Sequence, residues 1–369
     1  MRRHLEFDAL RGLLLVLMTL THLPTRFSSY SSQAFGFVSA ADGFVFLSAF
    51  LTGAIYAPKF AAGQRAAART SLLLRARRLY LWHLGLLAFA FTVIAAIGFY
   101  GQRPALYGLL TFFFEQPMTA LWAAPLLVYQ PPLLDILPMY TVFVIATPWL
   151  LAGAQREGWR KLLVLSGLVW LFAQCGGRRL VLEGFNAATG IHVPTIPEHA
   201  LGAFNWWAWQ LLWVGGLWAG AANRDPSRQG QLRLTPAMRA AALVAALGFL
   251  AWYHDVGGFW PARADVETTL FGKAQLQPLR VLDFAMLAVS AAWLVPSLFR
   301  GLRCLALLGR ASLSVFATHL LLVLLSLGII AGDDEPLDSW QESLVLTATF
   351  GAMLATAWRH HLQRVRGRD

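Results

Sequence analysis

The chain has 369 residues, of which 57% are hydrophobic and 13% charged, with 15 tryptophans. Soluble domains carry roughly a quarter charged residues, so a water-soluble globule is excluded and lipid must solvate much of the surface. The net charge of +11 does not imply nucleic acid, because the basic residues fall in short loops between apolar runs and not on one soluble face.

Apolar stretches long enough to cross a bilayer, about 20 residues each, predict helices near 6–23, 36–57, 79–100, 133–153, 160–176, 205–222, 237–253, 279–299, 304–330 and 341–358. The fold class is therefore all-α: a polytopic membrane protein of about ten transmembrane helices, read as one integral-membrane domain over 1–369. The stretch 106–128 is also apolar, but Glu115-Gln116-Pro117 and Pro125 break it, which suits an interfacial or re-entrant piece. The N-terminal run follows Arg2 and Arg3 but contains Asp8 and Arg11 and lacks a small-residue cleavage site after Pro24, so it reads as a retained first helix. No internal repeat or appended soluble domain is visible. Loops 177–204 and 254–278 are long enough to cover a site.

Charge orients the bundle. With the N-terminus inside, 21 of the 30 Lys and Arg fall on the cytoplasmic side, in Arg2–Arg3, Lys59–Arg78, Arg156–Lys161, Arg224–Arg239, Arg300–Arg303 and Arg359–Arg368. Outside lie Arg26, Arg103, Arg178, Arg179, Arg263, Lys273 and Arg280, with the acidic Asp333-Asp334-Glu335 turn. Arg11 and Arg310 lie within helices. This asymmetry predicts both termini in the cytoplasm of an inner-membrane protein. Cys175 and Cys304 fall at opposite ends of the bilayer and are not expected to pair.

The first helix carries Asp8, Arg11 and His22. Arg11 and His22 are close to three helical turns apart, so they share one face, separated by about 16 Å along the axis. Asp8 stands three residues before Arg11 and can pair with it. Ionisable residues inside a span usually mark a pathway or a site; the plainer reading is that Arg11 anchors the interface by snorkelling and His22 caps the helix end. Asp42 enters the second helix at a depth similar to His22. A carboxylate there can orient an imidazole that acts as a general base, or simply complement the helix dipole. His319, about 22 Å from the cytoplasmic face by rise per residue, belongs to the same outer half, where a packing role is the alternative. Asp135, Tyr140, Asn205, Gln210, Arg280 and Asp283 recur at that depth and suggest a polar pocket open to the outside. At the inner face Arg75 and Arg78 share a helix face, with His83 beyond them. Arginine forks bind phosphate bidentately, while ordinary positive-inside anchoring explains them equally well. Spacings for a metal site, a serine nucleophile elbow, a Walker A loop and a dinucleotide fingerprint are all missing.

These residues resemble a known family. Arg11, ten residues, then His22, together with Arg75-x-x-Arg78, is similar to the signature of acyltransferase-3-type membrane acyltransferases. The closer resemblance is to the OpgC family, which succinylates osmoregulated periplasmic glucans. It rests on Asp8-Ala-Leu-Arg11-Gly12, Thr21-His22-Leu23-Pro24, Phe35-Gly36-Phe37 and Ala41-Asp42-Gly43-Phe44-Val45-Phe46-Leu47-Ser48, and continues in Leu137-Pro138-Met139-Tyr140, Asn205-Trp206-Trp207-Ala208-Trp209-Gln210, Pro278-Leu279-Arg280 and Leu308-Gly309-Arg310-Ala311-Ser312-Leu313. Thr21 stands where the pattern has an acid, Asp42 where it has Glu, and Ala49 where it has Gly.

The resemblance implies a ten-helix fold, an acyl-coenzyme A donor (succinyl-CoA or acetyl-CoA, with no permanently bound cofactor and no metal) and a glycan hydroxyl acceptor. On that reading His22, Asp42 and His319 are catalytic, Arg11, Arg75 and Arg78 hold the donor, and the outer polar residues bind the glycan. A transporter of an acidic solute or glycan, with the same charges forming a relay, is the alternative.

Overall fold

The computed structural model describes residues 5–189, 196–225, 234–258, 269–330 and 337–366. Arg2, Arg3, Arg228, Arg263, Arg368 and the Asp333–Glu335 turn lie outside them. The described residues are mainly helical, with no strand among them. In chain order the helices are α1 (Leu5–His22), α2 (Phe27–Ser31), α3 (Ala40–Ala61), α4 (Arg65–Gly101, with a π turn at Ala90–Ile94), α5 (Pro104–Glu115), α6 (Pro117–Ala123), α7 (Ile136–Glu157), α8 (Trp159–Gln174), α9 (Gly177–Thr189), α10 (Trp206–Arg224), α11 (Pro236–Tyr253), α12 (Pro278–Leu298), α13 (Arg303–Arg310), α14 (Ser312–Ile329) and α15 (Ser339–Arg366).

All ten predicted segments are helical. Six of the helices are long and apolar enough to cross a membrane: α3, α4, α7, α11, α12 and α14. The other predicted spans are α1, which carries Glu6, Asp8 and Arg11, the 16-residue α8, the tryptophan-rich α10, and α15 with its basic last turn. Many large apolar side chains along these helices face outward, among them Trp82, Trp149, Leu165 and Val244, as a lipid-solvated surface requires. The protein is a multi-pass membrane protein.

The structure departs from the predicted elements at two places. The run 304–330 is two helices, not one, because the chain turns at Ala311 (φ −104°, ψ 26°) between α13 and α14. A continuous helix of that length would measure about 40 Å, well beyond a hydrocarbon core of about 30 Å. The helix predicted over 79–100 starts at Arg65, since the Ala-, Leu- and Arg-rich stretch before it is made of strong helix formers. Arg75 and Arg78 are therefore in mid-helix and not at its entry. Region 106–128 is the broken piece expected: α5 is kinked at Leu110 (φ −114°, ψ 21°) and ends at Gln116 (φ −136°, ψ 64°), outside the helical region that a residue before proline disfavours. Neither α5 nor α6, of 12 and 7 residues, is long enough to span.

Small residues let two helix pairs approach closely. A Cβ on Gly12 would overlap the Leu305 carbonyl of α13, and one on Gly309 the Asp8 carbonyl of α1. Across α3 and α10, Gly53 meets the Leu217 backbone while Gly220 meets that of Phe50. Gly216 and Gly220 form a G-x-x-x-G stripe, the pattern that brings membrane helices into backbone contact. Around these crossings pack Leu15, Val45, Ala49, Val144, Trp209, Trp213, Val315 and Leu320, all buried.

Candidate functional site

Helix α1 runs between two cavities that polar side chains enter. Near its start, Asp8 and Arg11 line a cavity of about 470 Å³ together with Ser48, Thr52, Arg75, Arg78, Tyr140, Arg224, Arg310, His360 and Arg364. At its other end, His22 lines a second cavity, of about 620 Å³, with Thr21, Ser39, Asp135, Arg178, Asn205, Lys273 and Gln275. Ile136 of α7 and Phe316 of α14 belong to the walls of both. The two spaces therefore share a wall, with an arginine-lined end on one side and a histidine-lined end on the other.

At the arginine end, Arg75 on α4 donates from Nη1 to Thr52 Oγ1 on α3 at 2.8 Å, and Thr52 in turn donates to the Ser48 carbonyl at 2.6 Å. This relay holds one guanidinium against the wall. Arg78, one turn further, lines the same space and stays exposed. Asp8, three residues before Arg11, reaches across to another helix. Its carboxylate accepts from Arg310 Nε at 3.2 Å, because the tight Gly12–Gly309 crossing brings α13 against that face of α1.

At the histidine end, Nδ1 of His22 lies 3.4 Å from Nε2 of His319, and the rings are stacked with centroids 5.6 Å apart. His319 is fully buried and packs edge-on against Phe316, a side chain that lines both cavities. Asn205 caps α10 by accepting from Trp207 N at 3.1 Å and donates from its amide to Gln275 Oε1 at 2.6 Å. Asp135 accepts from Ala203 N at 2.8 Å.

Several expected placements are corrected. Asp42 does not reach His22. Both its oxygens are taken by the fully buried Arg280 of α12, Nε to Oδ1 at 3.1 Å and Nη2 to Oδ2 at 2.7 Å. The Oδ2 atom also accepts from Ser39 N and Oγ at 2.9 and 2.7 Å. The carboxylate thus closes the N-terminus of α3 and neutralises an arginine. Asp283, one turn beyond Arg280, accepts from Phe37 N at 3.0 Å. These three residues form a buried knot beside the cavities and line neither. Tyr140 donates to the Phe44 carbonyl at 2.8 Å and faces the arginine cavity, not the histidine one. Gln210 lies outside both: it exchanges hydrogen bonds with Ser166 Oγ and O at 2.7 and 2.8 Å and clips α10 to α8, since equal depth on two helices does not put two side chains on one face. Of the glycan-binding candidates, Asp135 and Asn205 remain on the cavity that His22 lines.

Sequence reasoning missed Lys273, Arg178 and Gln275 at the histidine end, and Arg224, Arg310, His360 and Arg364 at the other. The loop residues carried no periodicity to place them. His360 and Arg364 are spaced i, i+4 on α15, a shared face that could have drawn attention.

The fold is thus an all-helical membrane protein in which a basic cavity and a histidine-bearing one share a wall. The sequence model of one family, described as OpgC protein, matches residues 3–364. The chain belongs to the OpgC family. No curated protein and no solved structure matches it.

Proposed function

We propose that this protein is a membrane O-acyltransferase that moves an acyl group, succinyl by the family resemblance, from cytoplasmic acyl-coenzyme A to a hydroxyl of a periplasmic glucan or related glycan. The observation that carries the reading is the shared wall at Ile136 and Phe316, because a thioester carbonyl arriving from the arginine end then meets a base at the other. Arg75 and Arg78 hold the donor's phosphates and Arg11 lines its path. The acceptor hydroxyl sits at His22, with Asp135 and Asn205 bonding the sugar.

In the reaction, His22 takes the hydroxyl proton as the oxygen attacks the thioester carbonyl. A C–O bond forms, the C–S bond breaks, and the imidazolium returns its proton to the leaving thiolate. His319 serves as the partner of His22 Nδ1, the place first expected of Asp42, and leaves Nε2 for the substrate. The remainder of the barrier falls to proximity between two bound substrates.

The test is transfer by purified protein in nanodiscs, with acyl-coenzyme A binding measured beside turnover on a glucan. Arg75→Ala with Arg78→Ala is expected to weaken donor binding by roughly one to two decades per arginine, the loss of charge-assisted hydrogen bonds worth about 1.5–3 kcal/mol each. Unchanged donor affinity would return the pair to interface anchoring, and no transfer from any acyl-coenzyme A would overturn the function. The proposal also needs the arginine end in the cytoplasm. Reporter fusions after Gln155 and after Arg366 are expected to read cytoplasmic and a fusion at Ser31 periplasmic; the reverse pattern would put the donor site on the wrong side.

A further inference from the structure

The histidine cavity carries a cation that transfer to a neutral hydroxyl does not use. Lys273 lies in the loop before α12, and its backbone is pinned on two sides. Trp209 Nε1 donates to its carbonyl at 3.0 Å, and Asn205 N donates to the Ala274 carbonyl at 3.0 Å. Its ammonium lies over the Phe204 ring, 5.2 Å from the centroid, and takes part in no hydrogen bond or ion pair among the described residues. Two carboxylates act on it electrostatically without a direct bond: Asp42, which is bonded to Arg280 and Ser39, and Asp135, which accepts from Ala203 N. Burial holds the lysine below its ordinary value, partly offset by Asp42 and Asp135.

An ammonium kept in a half-closed cavity without a bonded partner is costly, and a substrate anion would relieve that cost. A second cation, Arg178, lines the same cavity, which makes its lining net basic beside Asp135. His22 is on that wall too, so the anion must enter with the reacting groups. These are the acyl group and the acceptor. A neutral sugar hydroxyl brings no charge, whereas an acyl chain ending in a carboxylate does.

Resting on the acyltransferase reading, we propose that Lys273 binds the distal carboxylate of a dicarboxylic acyl group, so that this residue makes the enzyme select a charged four-carbon acyl donor over its uncharged counterpart. Lys273 is then a specificity-determining residue and takes no part in proton transfer. The arrangement also orders the reaction, since the carboxylate must pass Phe316 ahead of the thioester carbonyl and seat on Lys273 as the carbonyl reaches His22.

The experiment compares succinyl-coenzyme A with butyryl-coenzyme A, which has the same carbon count and no charge, on a neutral glucan. For Lys273→Met, kcat/KM with succinyl-coenzyme A is expected to fall about ten- to hundredfold, the worth of one charge-assisted bond, while kcat/KM with butyryl-coenzyme A stays within about twofold. Lys273→Arg is expected to keep most of the preference. Equal loss with both donors would make Lys273 a scaffold residue and overturn the inference, as would no loss with either. A loss that appears only when the glucan itself carries anionic substituents would assign the lysine to the acceptor and overturn it as well. Wild-type protein that transfers neither acyl group would instead sink the acyltransferase reading on which this rests.

Discussion

Arg280→Ala is expected to lose about 3–5 kcal/mol of stability, the cost of leaving a buried charge unpaired. The geometry sets that size. Arg280 and Asp42 are both fully buried and bonded through two contacts, and Ser39 and the Phe271 carbonyl complete the set at 3.3 Å each from the guanidinium. Removing the cation strands Asp42 and leaves Asp283, which already has one oxygen unbonded, without its neutralising neighbour. Asp42→Ala should cost a similar amount by stranding the guanidinium. The double variant Asp42→Leu with Arg280→Met is expected to be less damaged than either single change, because an apolar pair of similar volume avoids the desolvation cost altogether. Thermal unfolding in detergent, read as a double-mutant cycle, measures the coupling. If the single variants melt like the wild type while transfer stops, the knot belongs to the chemistry and Asp42 regains a catalytic role.

The ten helical segments were legible because each apolar run is bounded by proline, glycine or a basic loop, signals that act locally. The alternative given for Asp42, an acid complementing a helix dipole, was equally local, since it needs only a carboxylate in a first turn. What lay hidden depends on which helix faces which. Asp42 and Arg280 are 238 residues apart, and nothing near either names the other. The break at Ala311 interrupts an apolar run that reads as continuous; it lies two residues after Gly309, which packs on Asp8. Tyr140 and Gln210 were assigned by depth alone, and depth says nothing about azimuth. Arg11 and His22, by contrast, lie on the single helix α1, and 11 residues being close to three turns is a property that counting along one helix reads directly.

His22→Gln is expected to reduce turnover by about 10²–10⁴, the contribution of a positioned general base, while leaving acyl-coenzyme A affinity near wild type. Glutamine keeps the size and a hydrogen bond but cannot hold a proton in transit, so it should be as inactive as His22→Ala. The role of His319 separates from this one by geometry. His22 Nδ1 and His319 Nε2 lie 3.4 Å apart; the proposed mechanism puts the proton on His22 Nδ1, so that the lone pair of His22 Nε2 is left for the hydroxyl and the neutral second ring supports the imidazolium that forms. His319→Gln can still accept that bond through its amide oxygen, and is expected to lose less than His319→Phe, which keeps a ring against Phe316 but offers no acceptor. Because the base works only when unprotonated, kcat/KM in the wild type should fall on the acid side of its profile. In His319→Phe that limb should move, since the charge forming on His22 has lost its acceptor, and a merely structural partner would leave the limb in place. Initial rates across pH in nanodiscs, with donor binding measured on the same samples, read all of these. Near-wild-type turnover in His22→Gln would remove the base from the mechanism and leave the two stacked rings as packing between α1 and α14.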